Sequence, residues 1–152
     1  MSFRRTGFRP SSNSCIVFDM DDVLCKYDPA VTLRDAHTFA PRPEFVKIAK
    51  IAKNFGVDVV VATGRRSFHQ WKTWRWLEQH GVEVNAAYHR KGDCTQKTSD
   101  AKRDMLRSIM QTWHVVAFYD DSPYNVAAAR ELGIQAIHVP GNEDYWAERG
   151  DT

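Results

Sequence analysis

Five mostly apolar runs alternate along the chain with amphipathic stretches. The runs are Cys15–Phe18, Val57–Ala62, Val82–Tyr88, Val115–Tyr119 and Ile134–Val139. Apolar runs of this length suit strands that are buried on both faces, as in a parallel sheet. The pattern therefore predicts a three-layer α/β sandwich in which a five-stranded, parallel, Rossmann-like sheet lies between helices.

Start and stop signals bound four helices between these runs. Proline or a Ser/Asp cap opens each helix, and a glycine closes most of them. The predicted helices run from Pro43 to about Asn54, from Ser67 to about His80, from Ser99 or Asp100 to about Gln111 and from Ser122 to Leu132. The tail after Pro140 is rich in turn residues, with Tyr145 and Trp146 as candidate packing anchors.

The second predicted helix is rich in aromatic side chains. Its residues Phe68, Trp71, Trp74 and Leu77 recur every three positions, which favours a face packed against the sheet. Alternatively, its tryptophans lie beside basic residues and could stack on nucleic-acid bases.

Composition indicates a soluble globular protein. Of the 152 residues, 43% are hydrophobic and 26% are charged, which is ordinary. Three cysteines without C-x-x-C spacing indicate reduced thiols. No apolar run reaches the length of a membrane span, and none follows the N-terminal arginines as a secretory signal would require. We therefore expect a cytoplasmic protein.

The net charge of +2 is unevenly distributed. Residues 1–14 hold three arginines and no acid, which leaves 18 basic and 19 acidic residues for the rest of the chain. Glycine, proline and serine accompany the arginines, so residues 1–14 are predicted to be a flexible basic arm before a single domain over residues 15–152. Contact of the arm with a polyanion is the alternative.

Three predicted strands end in residues that carry chemistry, namely the segments Asp19–Asp22, Thr63–Arg65 and Asp120–Asp121. The carboxyl ends of parallel strands share one edge, where open α/β sheets bind ligands. Lys102 or Lys97 can reach the same edge. Neighbouring carboxylates repel each other unless a cation offsets the cost. Carboxylates, a cation, a hydroxyl and a lysine are what phosphoryl transfer through an aspartyl-phosphate requires.

Four sequence motifs, in this order, resemble those of the haloacid dehalogenase (HAD) superfamily. They are D-M-D-D-V-L (19–24), V-V-A-T-G-R (60–65), Lys102 at a helix start and F-Y-D-D-S-P-Y-N (118–125). The resemblance spans residues 15 to about 140. It implies that Asp19 is the nucleophile and Asp21 the general acid/base, which is the phosphatase pattern of the superfamily.

The resemblance also implies a Mg²⁺ site. The ion would be held by the Asp19 carboxylate, the Asp21 backbone carbonyl and Asp120, with Asp121 assisting. Asp121 could instead only cap the following helix. Relatives usually have glycine where this chain has Asp22, which indicates a local difference in the turn.

Thr63, Gly64 and Lys102 would bind the phosphoryl group on the same resemblance. Lys97 is the alternative lysine, but Lys102 is favoured because it lies in helical register just past a cap. The arginines expected to contact the rest of the substrate are Arg65 and Arg90.

The segments after the first and second strands are too short for a lid domain, so we expect an open site with a minimal cap. The loop H-R-K-G-D-C (89–94), followed by S-D-A-K (99–102), is similar to the phosphatase half of bacteriophage-type polynucleotide kinases. That similarity implies a Mg²⁺-dependent phosphomonoesterase that acts on nucleic-acid 3′-phosphate ends.

Other function classes fit less well. A nucleotide or small-metabolite phosphatase is the alternative enzyme. A signalling receiver domain would need its phosphoacceptor on a middle strand, whereas acids end only the first and fourth strands here. A binding protein on an inactive phosphatase scaffold conflicts with the filled catalytic positions. The histidines lack zinc-ligand spacing, and G-x-G-x-x-G and Walker sequences are absent.

Overall fold

The computed structural model describes residues 2–152, and six strands form its central sheet. The strands are β1 (Phe3–Thr6), β2 (Ser14–Phe18), β3 (Asp58–Arg66), β4 (Ala86–Arg90), β5 (His114–Asp120) and β6 (Ala136–His138). Their order is β1-β4-β3-β2-β5-β6. All neighbouring pairs are parallel except β1 and β4. The prediction of a parallel, Rossmann-like α/β sheet is confirmed.

Five helices accompany the sheet. They are α1 (Pro43–Asn54), α2 (Gln70–Gln79), α3 (Thr98–Met110), α4 (Pro123–Glu131) and α5 (Glu143–Arg149), with short 3₁₀ helices at Leu33–Thr38 and Ser67–His69. In the described chain, no helix is both long and apolar enough to cross a membrane.

Alternation along β3 divides the protein into three layers. Val59 and Val61 face one side of the sheet and join the core formed with α1 and α2. Val60 and Ala62 face the other side and join the core formed with α3 and α4. Side chains of successive strand residues point to opposite faces, so a run of four apolar residues has to be covered on both sides.

Strand β1 departs from the prediction of a flexible arm over residues 1–14. Phe3–Thr6 pairs antiparallel with β4, and the ring of Phe3 lies 5.5 Å from that of Tyr88. The backbone amide of Ser11 donates a hydrogen bond to the buried Asp58 carboxylate (2.8 Å). The two central residues of β1 are exposed arginines. Hydrophobic pattern therefore gives no signal there, and the pairing depends on partners more than 80 residues away.

The aromatic face of α2 also differs from the prediction. Phe68 and Trp71 are 61% and 51% exposed, whereas Trp76 is fully buried. The indole nitrogen of Trp76 donates a hydrogen bond to the Phe39 carbonyl (2.7 Å). A spacing of three drifts around a helix of 3.6 residues per turn. The buried positions of α2 are therefore Lys72, Thr73, Trp76 and Leu77, and Leu77 is the one member of the predicted face among them.

Candidate active site

Three strand ends meet at one edge of the sheet because β2 lies between β3 and β5. Phe18 pairs with Tyr119, so Asp19 and Asp120 follow at the same level. A cleft of about 240 Å³ opens there, lined by residues from the strand ends, from α3 and from the C-terminal segment. Asp19, Asp21 and Gly64 line this cleft, and Thr63 and Asp120 are almost fully buried beside it.

Asp19, Asp120 and Asp121 form a buried acidic cluster. Each offers a carboxylate oxygen, and these oxygens lie within 4.8 Å of one another. The backbone amide of Ser122 donates a hydrogen bond to Asp120 (2.8 Å), and the side-chain amide of Asn125 donates another (3.1 Å). Carboxylate oxygens at this spacing are ligands that Mg²⁺ prefers. The donor set therefore fits a divalent cation held by three predicted ligands.

Lys102 is the lysine that the structure brings to this cluster. Its ammonium nitrogen lies 3.2 Å from Asp19 Oδ1 and 3.2 Å from Asp120 Oδ2. The same nitrogen donates a hydrogen bond to the Ala62 carbonyl (2.5 Å). Lys97, by contrast, is exposed at the N-terminus of α3. The position of Lys102 supports the choice made from helical register.

The electrostatics of the cluster favour added positive charge. Burial, reinforced by the Asp120 carboxylate, raises the pKa of Asp19 to about 7, although Lys102 opposes the rise. Burial, followed by the Asp19 carboxylate, raises the pKa of Asp121 to about 7. Burial alone would lower the pKa of Lys102, but its two carboxylate partners outweigh burial and raise it. One ammonium group thus pairs with two of the three buried carboxylates, and a divalent cation would offset the remaining repulsion.

Asp21 lies outside the acidic cluster and is held by Arg65. The guanidinium donates two hydrogen bonds to the Asp21 carboxylate, from Nε (2.9 Å) and NH2 (2.6 Å), and NH1 donates one to Thr73 Oγ1 (3.2 Å). The Cys25 thiol adds a weak donor to Asp21 (3.4 Å). Arg65 also lines the cleft, and its donors are engaged with Asp21 and Thr73. The geometry makes it a positioning residue for Asp21, and its predicted contact with the substrate stays a prediction.

Thr63 and Gly64 shape the turn at the end of β3. The Thr63 hydroxyl accepts a hydrogen bond from the Arg65 backbone amide (3.1 Å), which leaves its own proton free to be donated. Gly64 lines the cleft. The role of both residues in binding a phosphoryl group stays a prediction.

Asp22 has a positive φ of 62°, a conformation that glycine adopts without steric cost. Its carboxylate accepts hydrogen bonds from the Tyr27 backbone amide (3.0 Å) and the Asn142 side-chain amide (2.8 Å). The aspartate thus connects the turn after β2 to the C-terminal segment.

Arg90 ends β4 and lines the cleft, although it is only 7% exposed. It donates hydrogen bonds to Thr98 Oγ1 (3.4 Å) and to the Gln96 carbonyl. Its Nε is buried and, within residues 2–152, has no hydrogen-bond partner. Arg90 thus places a cationic side chain at the edge of the cleft, and its predicted contact with the substrate stays a prediction.

The C-terminal segment was missed as part of the site. The indole nitrogen of Trp146 and the side-chain amide of Asn142 donate hydrogen bonds to Asp121 Oδ2, at 2.8 and 3.0 Å. Tyr145 and Arg149 also line the cleft, so α5 forms one of its sides. Acids in the first turn of α5 and a basic residue in its last turn are a helix signal that the sequence did contain.

A family model identifies the class of protein. The model of the polynucleotide kinase PNKP phosphatase domain matches residues 13–144, which contain β2 to β6 and the acidic cluster. The chain therefore belongs to this family and is a HAD-type phosphatase, a hydrolase of phosphoric monoesters. No curated protein sequence matches it significantly.

Solved structures share its fold. A chain of the Pnkp1/Rnl/Hen1 complex is similar with a TM-score of 0.77 and 20% identity, over 86% of this chain and 47% of that one. This chain thus spans about half of that protein. D,D-heptose 1,7-bisphosphate phosphatase from B. bronchiseptica, complexed with magnesium and phosphate, gives a TM-score of 0.61 and 19% identity, over 91% and 88% of the two chains. The class C acid phosphatase from Bacillus anthracis gives a TM-score of 0.64 and 16% identity, over 86% of this chain and 67% of that one.

Proposed function

We propose that the protein is a Mg²⁺-dependent phosphomonoesterase that forms an aspartyl-phosphate on Asp19 and removes 3′-phosphates from nucleic-acid ends. The observation that carries the proposal is the arrangement around Asp19. Its carboxylate lies between Lys102 and two further buried acids, at the floor of a cleft that also contains Asp21. These groups suit nucleophilic displacement at phosphorus.

Asp19 acts as the nucleophile. Its Oδ1 accepts hydrogen bonds from the Met20 backbone amide (2.8 Å) and from Lys102 (3.2 Å), which fix the rotation of the carboxylate. The other oxygen, Oδ2, is left to attack phosphorus. An oxygen–phosphorus bond forms to Asp19 while the ester bond to the leaving group breaks.

Asp21 moves the protons of both half-reactions. In the first, its carboxyl group donates a proton to the leaving oxygen of the substrate. In the second, water attacks the phosphorus, Asp21 accepts the proton of that water, and Asp19 is released with inorganic phosphate. Arg65 fixes the position of the Asp21 carboxylate during both transfers, because two hydrogen bonds hold its two oxygens.

The phosphoryl oxygens are stabilised by donors from three elements. Lys102 supplies a charged donor, the Thr63 hydroxyl a neutral one and the turn at Gly64 its backbone N–H. The carboxylates of the acidic cluster would hold Mg²⁺, which would supply the positive charge that lets an anionic phosphoryl group approach a carboxylate.

Several observations support nucleic acid as the substrate. The matching family model is that of a polynucleotide kinase phosphatase domain, and the structural neighbour Pnkp1 occurs in an RNA repair complex. The buried Arg90 lines the cleft, and the half-buried Arg66, which pairs with it, and the exposed Lys91 add positive charge beside it. A chain of phosphates could lie along these charges.

The test is a comparison of kcat/KM across phosphate esters with and without Mg²⁺. The panel contains a 3′-phosphorylated oligonucleotide, its 5′-phosphorylated counterpart, a 3′-mononucleotide and a sugar phosphate, each over a salt series. We expect the 3′-phosphorylated oligonucleotide to be the best substrate, with the steepest salt dependence. Higher efficiency on the mononucleotide or the sugar phosphate would favour the small-metabolite alternative.

A further inference from the structure

The cleft has a buried end and an exposed end. Lys102 and Asp19, at the buried end, are 1% and 8% exposed, whereas Tyr145 on α5 is 38% exposed. Its volume of about 240 Å³ is below the roughly 300–1,000 Å³ of pockets that enclose a whole small ligand. In the proposed reaction, the phosphoryl group would therefore enter the buried end, and the group esterified to it would extend past α5.

Hydrogen bonds at both ends fix the segment that carries α5. At its start, Asn142 bridges the carboxylates of Asp22 (2.8 Å) and Asp121 (3.0 Å). At its end, the Asp151 carboxylate accepts hydrogen bonds from the Ser99 backbone amide (3.0 Å) and hydroxyl. The segment is thus tied both to the acidic cluster and to the start of α3, and its side chains form a defined wall of the cleft.

Tyr145 and Arg149 stand side by side on this wall. The Arg149 guanidinium carbon lies 5.6 Å from the centroid of the Tyr145 ring, and NH1 donates a hydrogen bond to the tyrosine hydroxyl (2.8 Å). Throughout residues 2–152, no carboxylate forms an ion pair with Arg149. An aromatic ring beside an unneutralised guanidinium is the combination that binds a base and a phosphate of a single-stranded nucleic acid.

We propose that Tyr145 and Arg149 form a leaving-group subsite for the nucleotide that bears the scissile phosphate. The Tyr145 ring stacks on the base of that nucleotide, and Arg149 contacts the phosphate on its 5′ side. This inference rests on the proposed function, because it assigns a contact to the substrate of the same site. It makes α5 a determinant of substrate choice as well as a support for Asp121.

The test uses two 3′-phosphorylated oligonucleotides that differ only in whether the terminal nucleotide carries a base. Wild-type enzyme should hydrolyse the base-containing oligonucleotide with the higher kcat/KM. Tyr145→Leu should lower kcat/KM on that substrate about tenfold, mainly through KM, and bring it close to the value for the abasic one. Tyr145→Phe keeps the ring and should keep the preference.

Arg149→Ala should reduce the salt dependence of oligonucleotide hydrolysis by about one released counterion. Matched controls lie outside the cleft: Phe55→Leu removes an aromatic ring that is 81% exposed at the end of α1, and Arg75→Ala removes an exposed charge on α2. Neither control should change the preference for the base or the salt dependence.

Each other outcome has a distinct meaning. If Tyr145→Leu lowers kcat/KM equally on both oligonucleotides, the residue only supports α5, and the subsite is overturned. Equal wild-type activity on both oligonucleotides would overturn it without any variant, so the test does not depend on the folding of Tyr145→Leu. Wild-type enzyme that hydrolyses a sugar phosphate but neither oligonucleotide would refute the nucleic-acid substrate itself, and the subsite with it.

Discussion

Arg65 donates hydrogen bonds to both carboxylate oxygens of Asp21, at 2.9 and 2.6 Å. Arg65 is almost fully buried, and its third contact, with Thr73, lies on α2. The position of the proposed acid/base is thus set by a residue 44 positions away and by the helix that follows it. Since a planar guanidinium fits a carboxylate in a way that a lysine cannot, the pair can be tested by a substitution that keeps the charge.

Arg65→Lys should lower kcat by at least tenfold while KM changes little. The ammonium group keeps the charge but cannot hold both Asp21 oxygens, and the loss is bounded by the ~10²–10⁴-fold that acid/base catalysis contributes. Steady-state kinetics and the pH profile of kcat are the measurements. Arg66→Lys is the matched control, because Arg66 contacts only backbone carbonyls in the loop after β4. An unchanged kcat in Arg65→Lys would refute the positioning role.

Asp19→Asn should abolish Mg²⁺-dependent hydrolysis of an aryl phosphate without unfolding the protein. The amide has the shape of the carboxylate but is not a nucleophile, and its neutrality relieves the repulsion with Asp120. Asp21→Asn should lose ~10²–10⁴-fold of activity, whereas Asp93→Asn, in an exposed loop, should match wild type. Activity assays and thermal melts check this, and near-normal turnover by Asp19→Asn would exclude the aspartyl-phosphate mechanism.

Lys102→Met should cost both stability and activity. It leaves two buried carboxylates without their ammonium partner, and loss of one member of a buried ion pair typically costs about 3–5 kcal/mol. Lys97→Met, at an exposed position, should change the free energy of unfolding by less than about 0.5 kcal/mol. Urea titrations and kcat/KM measure the two effects. A larger loss of activity for Lys97→Met would identify Lys97 as the phosphate-binding lysine.

His89 should make the protein acid-sensitive. Burial, with Arg65 and Arg4 nearby, lowers its pKa from 6.5 to about 4, and its Nε2 lies 3.1 Å from Thr73 Oγ1. The folded state therefore binds the proton less tightly than the unfolded state. The contribution of neutral His89 to the free energy of unfolding is therefore fully present above pH 6.5 and is lost as the pH falls towards 4. The total loss is on the order of 3 kcal/mol.

His89→Gln should remove this dependence, because glutamine does not titrate. Urea unfolding at pH 7.5 and pH 4.5 should show a smaller difference for the variant than for wild type, by about 2–3 kcal/mol. The exposed His114 provides the control substitution, His114→Gln. Identical pH dependence in wild type and His89→Gln would rule out His89 as the source of acid sensitivity.

The deletion of residues 1–13, which the predicted flexible arm would suggest as a test of polymer binding, is not informative in this fold. It would remove β1 and uncover the β4 edge and Tyr88. Single substitutions at the exposed Arg4 and Arg5 test the same charges without removing a strand.

The pattern of apolar, capping and charged residues in the sequence was sufficient to predict the strands and helices that hold the candidate site residues. The apolar run before Asp19 predicts a buried strand, the Ser122-Pro123 pair predicts the start of α4, and the order of acids, threonine and lysine predicts one shared edge. The first two signals depend on neighbours within a few positions, where periodicity and capping act, and the third depends on the parallel arrangement of the predicted strands. The α/β class and the convergence of Asp19, Lys102 and Asp120 could therefore be predicted before any coordinates.

Contacts between distant segments were decided only by the tertiary structure. β1 is a strand because it pairs with the edge of β4. Arg65 is held beside Asp21 because it is buried and donates a hydrogen bond to Thr73. α5 forms a wall of the cleft because Asn142 and Trp146 donate hydrogen bonds to Asp121. Each contact joins residues separated by 8 to more than 80 positions. Such pairings depend on how the layers pack and on which buried donors need acceptors, and no local periodicity in the sequence encodes either.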